Sequence, residues 1–175
     1  MAQPAHSGGL GPVFDDLEQQ LLGLSLQERA TAVAAVGAAA YADVTALGRL
    51  HASVGRTLAV TGPCGQRFTG VLERAGADWI GLVDGPSAWV LRVAALTGIE
   101  GLAERSLPEQ ARPVLARLSF ASVLRDAEKV TVVRVDDTRL DGRVDRVGAD
   151  FLEVVHAGRQ ILVPFGAIVA VRGAR

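Results

Sequence analysis

The chain has almost none of the side chains from which redox or metal centres are built. Its lone cysteine, Cys64, excludes an intramolecular disulfide and any cluster held by several thiolates. Histidine is nearly as scarce: His6, His51 and His156 stand far apart and share no local motif with Cys64. Aromatic residues make up 5% of the sequence, which leaves few platforms on which nucleic-acid bases could stack. A basic excess is missing too. The net charge is −1, so the surface as a whole has no affinity for polyanions or anionic membranes. No window reaches the roughly 18 apolar residues of a membrane span. Residues 1–12 lack the basic and apolar regions of a secretory signal. The expectation is a soluble cytoplasmic protein that needs no cofactor.

What the chain does have is repetition. Gly142-Arg-Val-Asp-Arg-Val-Gly-Ala-Asp-Phe-Leu-Glu-Val-Val155 echoes Gly70-Val-Leu-Glu-Arg-Ala-Gly-Ala-Asp-Trp-Ile-Gly-Leu-Val83 at a spacing of 72 residues. The pairs Arg67/Arg139, Gly70/Gly142, Arg74/Arg146, Gly76/Gly148, Ala77/Ala149, Asp78/Asp150 and Ala95/Ala167 keep that spacing without a gap. Such a register marks an internal duplication. In the twice-written Gly-Ala-Asp, glycine is expected to supply a positive φ and aspartate to bond the turn's own backbone, making a structural corner.

Five divisions follow. Residues 1–12, rich in Gly and Pro, form a tail. Residues 13–54 are helical, with a break near Gly23 and a capping box at Ser25-Leu-Gln-Glu28 opening a second helix that runs to about Ser53. In that helix Val33, Ala40, Leu47 and Val54 recur every seven residues as a narrow apolar seam, suited to a helix pair with another subunit or to packing on the rest of the chain. Residues 55–104 hold a first five-strand unit, with strands at Thr57–Thr61, Arg67–Ala75, Asp78–Val83, Ala88–Val93 and Leu96–Ile99. Residues 105–126 connect, with Ser119 as the N-cap of a short helix. Residues 127–175 hold the second unit. The fold class is mainly β with a helical N-terminus: two tandem five-stranded SH3-like or Sm-like barrels.

Helix, then Val130-Thr-Val-Val-Arg-Val135, Leu140-Asp-Gly-Arg-Val144, Asp150-Phe-Leu-Glu-Val154 and Ile161–Val171, resembles the Sm-like (Hfq/LSm) layout. That resemblance implies a bent five-strand sheet after a helix, and barrels that assemble, commonly as rings on RNA. The family's RNA sites use an Asn in the turn at the third strand, or a Lys-His pair before the last strand. This chain has Gly148-Ala149-Asp150 and Pro164-Phe165-Gly166 there, so those site residues do not carry over. Over nearly its full length the chain also resembles a group of uncharacterised actinobacterial proteins, some labelled Fis-type regulators.

Candidate chemistry is sparse. Cys64 lies in a Gly-Pro-Cys-Gly turn whose counterpart 72 residues on is Asp136, so it reads as a turn residue. The carboxylates Asp136, Asp137, Asp141, Asp145 and Asp150 alternate with Arg134, Arg139, Arg143 and Arg146 and lack the spacing of a calcium loop. They read as the solvent face of a sheet. The polar binding candidates are Arg139, Arg143, Arg146, Arg159 and Arg172, which hold phosphates if they converge. The expected role is non-enzymatic assembly, with self-association through the helix seam or the barrel edges. Nucleic-acid binding is the alternative, and a small-molecule sensor with a cleft between the barrels a third reading.

Overall fold

The computed structural model describes residues 41–173. The chain divides into two units, Met1–Val44 and Thr45–Arg175, and every strand described here belongs to the second. The first expected helix, the Ser25/Glu28 capping box and the seam residues Val33 and Ala40 lie outside the described residues.

The second expected helix does not run unbroken to Ser53. Residues 43–45 are non-helical, and a fresh helix α1 (Ala46–Ala52) starts behind Thr45, whose side chain accepts a hydrogen bond from the Gly48 amide at 3.0 Å. A β-conformation threonine that caps an orphan N–H stops one helix and starts another. Leu47 still packs on the core, but Val54 falls beyond the helix and is exposed, so the heptad seam ends early.

Ten antiparallel strands follow: β1 (Thr57–Thr61), β2 (Arg67–Ala75), β3 (Trp79–Asp84), β4 (Ser87–Arg92), β5 (Gly98–Glu100), β6 (Lys129–Arg134), β7 (Arg139–Val147), β8 (Phe151–His156), β9 (Arg159–Pro164) and β10 (Ile168–Arg172). They form one sheet in the order β5-β1-β2-β3-β4-β10-β6-β7-β8-β9. The fold is therefore mainly β, as expected, but it is a single open sheet and not a pair of closed barrels. The reason is local. The free side of β4 is taken by β10, through Ala170 opposite Leu91, Val171 opposite Val90 and Arg172 opposite Trp89, so β4 does not return to β5.

Element bounds and registers recur at the 72-residue spacing. β7, β8 and β9 match β2, β3 and β4 at both ends. The register break in β2 between Leu72 and Arg74 returns in β7 between Val144 and Arg146. A bulge of this kind bends a strand and increases its twist. Gly70 and Gly142 sit where the bent strands meet their neighbours: a Cβ would come within 2.7 Å of Val83 O at the first and 2.6 Å of Val155 O at the second. The fifth strand lies slightly later than expected, because Val93–Ala95 close a 3-10 turn before it.

The Gly-Ala-Asp corner has a different cause from the one the sequence implies. Neither Gly76 nor Gly148 has positive φ. Each lies under the aromatic ring three residues on, Trp79 or Phe151, where any Cβ would collide. Each amide donates to that aromatic residue's carbonyl, at 2.8 and 2.9 Å. Nor does Asp78 bond its own turn. Its carboxylate accepts from the Phe120 amide at 2.7 Å, at the start of helix α2 (Phe120–Leu124), where Ser119 is the N-cap. Trp79 Nε1 and the Ala77 amide both donate to Leu118 O, at 2.8 and 3.0 Å.

Two hydrophobic clusters fill the interior, and each borrows from the other half. Trp79 and Val90 pack with Phe120, Leu124, Val132, Leu152 and Ile168. Val133, Val169 and Ala170 pack with Leu50, Leu58, Leu72 and Ile80. His51 of α1 is buried with Nε2 unpartnered. Burial, and then the Arg112 guanidinium, hold its pKa below the usual 6.5, while a hydrogen bond with the Gly76 backbone acts the other way.

Two outcomes are expected. Asp78→Ala should cost about 1–2 kcal/mol by urea denaturation, because it orphans the Phe120 amide. Asp150→Ala, at the corner without that bond, should stay within about 0.5 kcal/mol. For His51, the unfolded chain takes the proton first, so stability is complete above pH 6.5 and falls below it. The slope, at most about 1.4 kcal/mol per pH unit, should have this sign and be missing from His51→Leu, read as the difference between the two proteins' melting curves.

Candidate functional site

The five candidate arginines are all exposed, and they do not converge as a set. Arg139 opens β7 beside the Asp136–Thr138 turn. That turn is held by the Thr138 amide and hydroxyl donating to Asp136, which keep the Asp136 carboxyl below its usual pKa. Arg146 lies past the bulge, opposite Glu153 and 4.0 Å from Asp145. Arg159 opens β9, opposite His156. None of these three lines the groove described next.

Arg143 and Arg172 do meet. They line an open groove of about 470 Å³ together with Lys129, Thr131 and Asp141. The sheet register dictates this. Lys129 lies directly opposite Arg143 across β6 and β7, and Thr131 lies opposite both Asp141 and Arg172. Thr131 donates its hydroxyl to Asp141 Oδ1 at 2.5 Å, and His156 Nδ1 donates to the Asp141 carbonyl at 2.6 Å. Arg143 has the Asp145 carboxylate at 3.7 Å, an exposed and weakly coupled pair. Arg172 lies over Trp89, its guanidinium carbon 5.2 Å from the ring centroid, and Phe68 meets that ring edge-on.

Lys129 and Trp89 are the residues that sequence reasoning passed over. A signal for Lys129 existed, since it is the chain's only lysine. Its part in the groove depends on cross-strand register, which a sequence does not display. The same positions in the first half are Thr57, Val71 and Glu100, and there Arg67 pairs with Glu100 through two hydrogen bonds of 2.9 and 3.1 Å. That pair lowers the Glu100 pKa and raises that of Arg67.

Other candidates resolve as local structure. Cys64 takes a left-handed φ of 58° in a 3-10 turn and donates its thiol to Val135 O at 3.5 Å. Beside it Gln66 Nε2 donates to Arg134 O at 2.8 Å. Among the described residues no three His, Cys, Asp or Glu side chains are grouped to hold a metal ion, and no helix is long and apolar enough to cross a membrane.

The second feature with functional weight is the pair of sheet edges. Among the described residues β9 has no strand on one side, and neither has β5. Leu162 in the middle of β9 is 53% exposed, whereas Val90, its counterpart in β4, is 7% exposed beneath β10. With this geometry in view, no protein-family model matches the chain, and no curated protein matches it either.

The turn that presents Arg159 carries a testable strain. Ala157 has φ 49° where the first half has Gly85 at φ 54°. A non-glycine residue in this region costs about 1 kcal/mol, so Ala157→Gly should stabilise the protein by about that amount and raise its melting temperature by a few degrees. Calorimetry of the two proteins checks it.

Proposed function

We propose that this protein is a non-enzymatic assembly protein, built from two five-strand units that each resemble an Sm-like barrel and that associate edge to edge. The reading takes the 72-residue recurrence as a duplication, and the β4–β10 seam as an association between units made permanent by covalent linkage. In support stands the order of elements in each half: a capped helix, a bent and bulged second strand, a 3-10 turn and a short fifth strand.

One observation carries the proposal. Each remaining edge is the counterpart of an edge that is already joined. β9 corresponds to β4, and β5 to β10, with the β5–β1 and β10–β6 registers superposable at the same spacing: Val60 opposite Ile99, Val132 opposite Val171. A second copy can therefore present β5 to β9 with Leu162 opposite Ile99 and Val163 opposite Gly98. The contact is head to tail, and it propagates until a ring closes or a filament grows. An unpaired edge with apolar residues at its centre is a template for such pairing. The seam inside the chain pairs three residues, so a three-residue β5 is long enough to serve.

Light scattering on the full chain across a concentration series should give masses that are multiples of 18.3 kDa. Leu162→Lys, which places a charge at the centre of the edge, should return the protein to a monomer with its melting temperature unchanged. A wild-type monomer at every concentration overturns the proposal.

A further inference from the structure

We propose that the groove formed by Lys129, Arg143 and Arg172 binds the phosphate group of a nucleotide-sized ligand. The first support is electrostatic. Lys129 and Arg143 are direct cross-strand partners, and like charges so placed destabilise a sheet. Among the described residues neither Lys129 nor Arg172 has a carboxylate in ion-pair range. Asp141, the carboxylate within the groove, has one oxygen taken by the Thr131 hydroxyl. An anion seated among the three cations relieves that repulsion with charge-assisted hydrogen bonds.

The second support comes from the other half of the sheet. The same strand positions there hold Thr57, Val71 and Glu100 on a backbone of the same register, so the architecture itself does not call for cations. Gly101 and Gly173, with φ of 88° and 92°, end the two fifth strands alike. Shape is conserved between the halves, and charge is what changes. The third support is size and flank. A volume of about 470 Å³ accommodates a nucleotide-sized group, and the Trp89 ring beneath the Arg172 guanidinium holds that cation at the edge of the groove.

The phosphate could come from a free nucleotide or from a single-stranded nucleic acid, and the experiment separates the two. Uridine monophosphate, inorganic phosphate and a labelled 15-nucleotide oligouridylate are titrated into the full chain at low salt. Phosphorus NMR follows the first two, anisotropy the third, and tryptophan emission all of them, because Trp89 lies against Arg172. Binding of the monophosphate or of inorganic phosphate assigns the site to a free phosphate ligand. Binding of the oligouridylate alone, with a log-log salt slope near about −2 for three cations on a single strand, assigns it to nucleic acid. Either result supports the proposal provided that Arg143→Val and Lys129→Thr, which install the first-half residues, weaken binding at least about tenfold while Arg146→Gln and Arg159→Gln do not. Both groove variants should melt no lower than the wild type, since they remove a repulsion. No binding of any of the three probes, or equal binding by the groove variants, overturns it. These variants leave β5 and β9 intact, so the outcome is independent of self-association.

Discussion

The seam between β4 and β10 is the contact on which the rest of the molecule depends. It joins two halves that each leave one strand edge unsatisfied, and a row of unpaired backbone groups is costly unless water or another strand meets it. Three residue pairs make the join, yet its reach is wider than those bonds. Because β4 and β10 run side by side, Trp79 and Val90 enter the core of the second half, while Val133, Val169 and Ala170 enter that of the first. Further bonds cross the same boundary at the turns: Gln66 to Arg134 O, Arg92 to Phe165 O, and Asp78 to the Phe120 amide. The halves resemble each other in form without being separable in energy. Each core is completed by residues from its neighbour.

That dependence explains where the two halves differ. Positions that shape the backbone stay the same: Gly70 and Gly142 where strands approach closely, Gly76 and Gly148 under an aromatic ring, Gly101 and Gly173 at left-handed strand ends. Positions at the seam differ, because each half meets the other through only one of its two edges, β4 in the first half and β10 in the second. Trp79 donates its indole N–H to Leu118 O; Phe151, its counterpart, has no donor to offer. Arg172 faces Trp89 across the seam, whereas Glu100 at the free end turns to Arg67 within its own half.

Much of this was legible in the sequence, and what was not has physical causes. Strand locations followed from alternation and from the 72-residue register, since period-two burial writes itself into residue order. The Ser119 cap was legible for a similar reason, being a local hydrogen bond. Closure was not. Whether β4 pairs with β5 or with β10 turns on a contact between distant segments, and the same alternating pattern serves either. The helix break at residues 43–45 escaped because the apolar spacing of Val44 and Leu47 continues through it, so the capping geometry of Thr45 decides the matter. Glycine in the corner was expected for its φ, but it is required for the space beneath Trp79 and Phe151, and a sequence does not show which ring lies over which Cα.

The candidate arginines teach the same lesson about charge. Five arginines within 34 residues look like a set, yet strand register brings only Arg143 and Arg172 of them into the groove. Adjacent residues on a strand point to opposite faces, but the bulge after Val144 shifts that phase. Arg143, opposite Val155, and Arg146, opposite Glu153, therefore keep to one face and both approach Asp145, while Arg146 still lies outside the groove. Lys129 and Arg143, fourteen positions apart, become nearest neighbours because β6 and β7 fold back on each other. A binding surface in a sheet is written across strands, at right angles to the chain. Its residues are read from the register, and here the register leaves three cations together at a place where the other half has none.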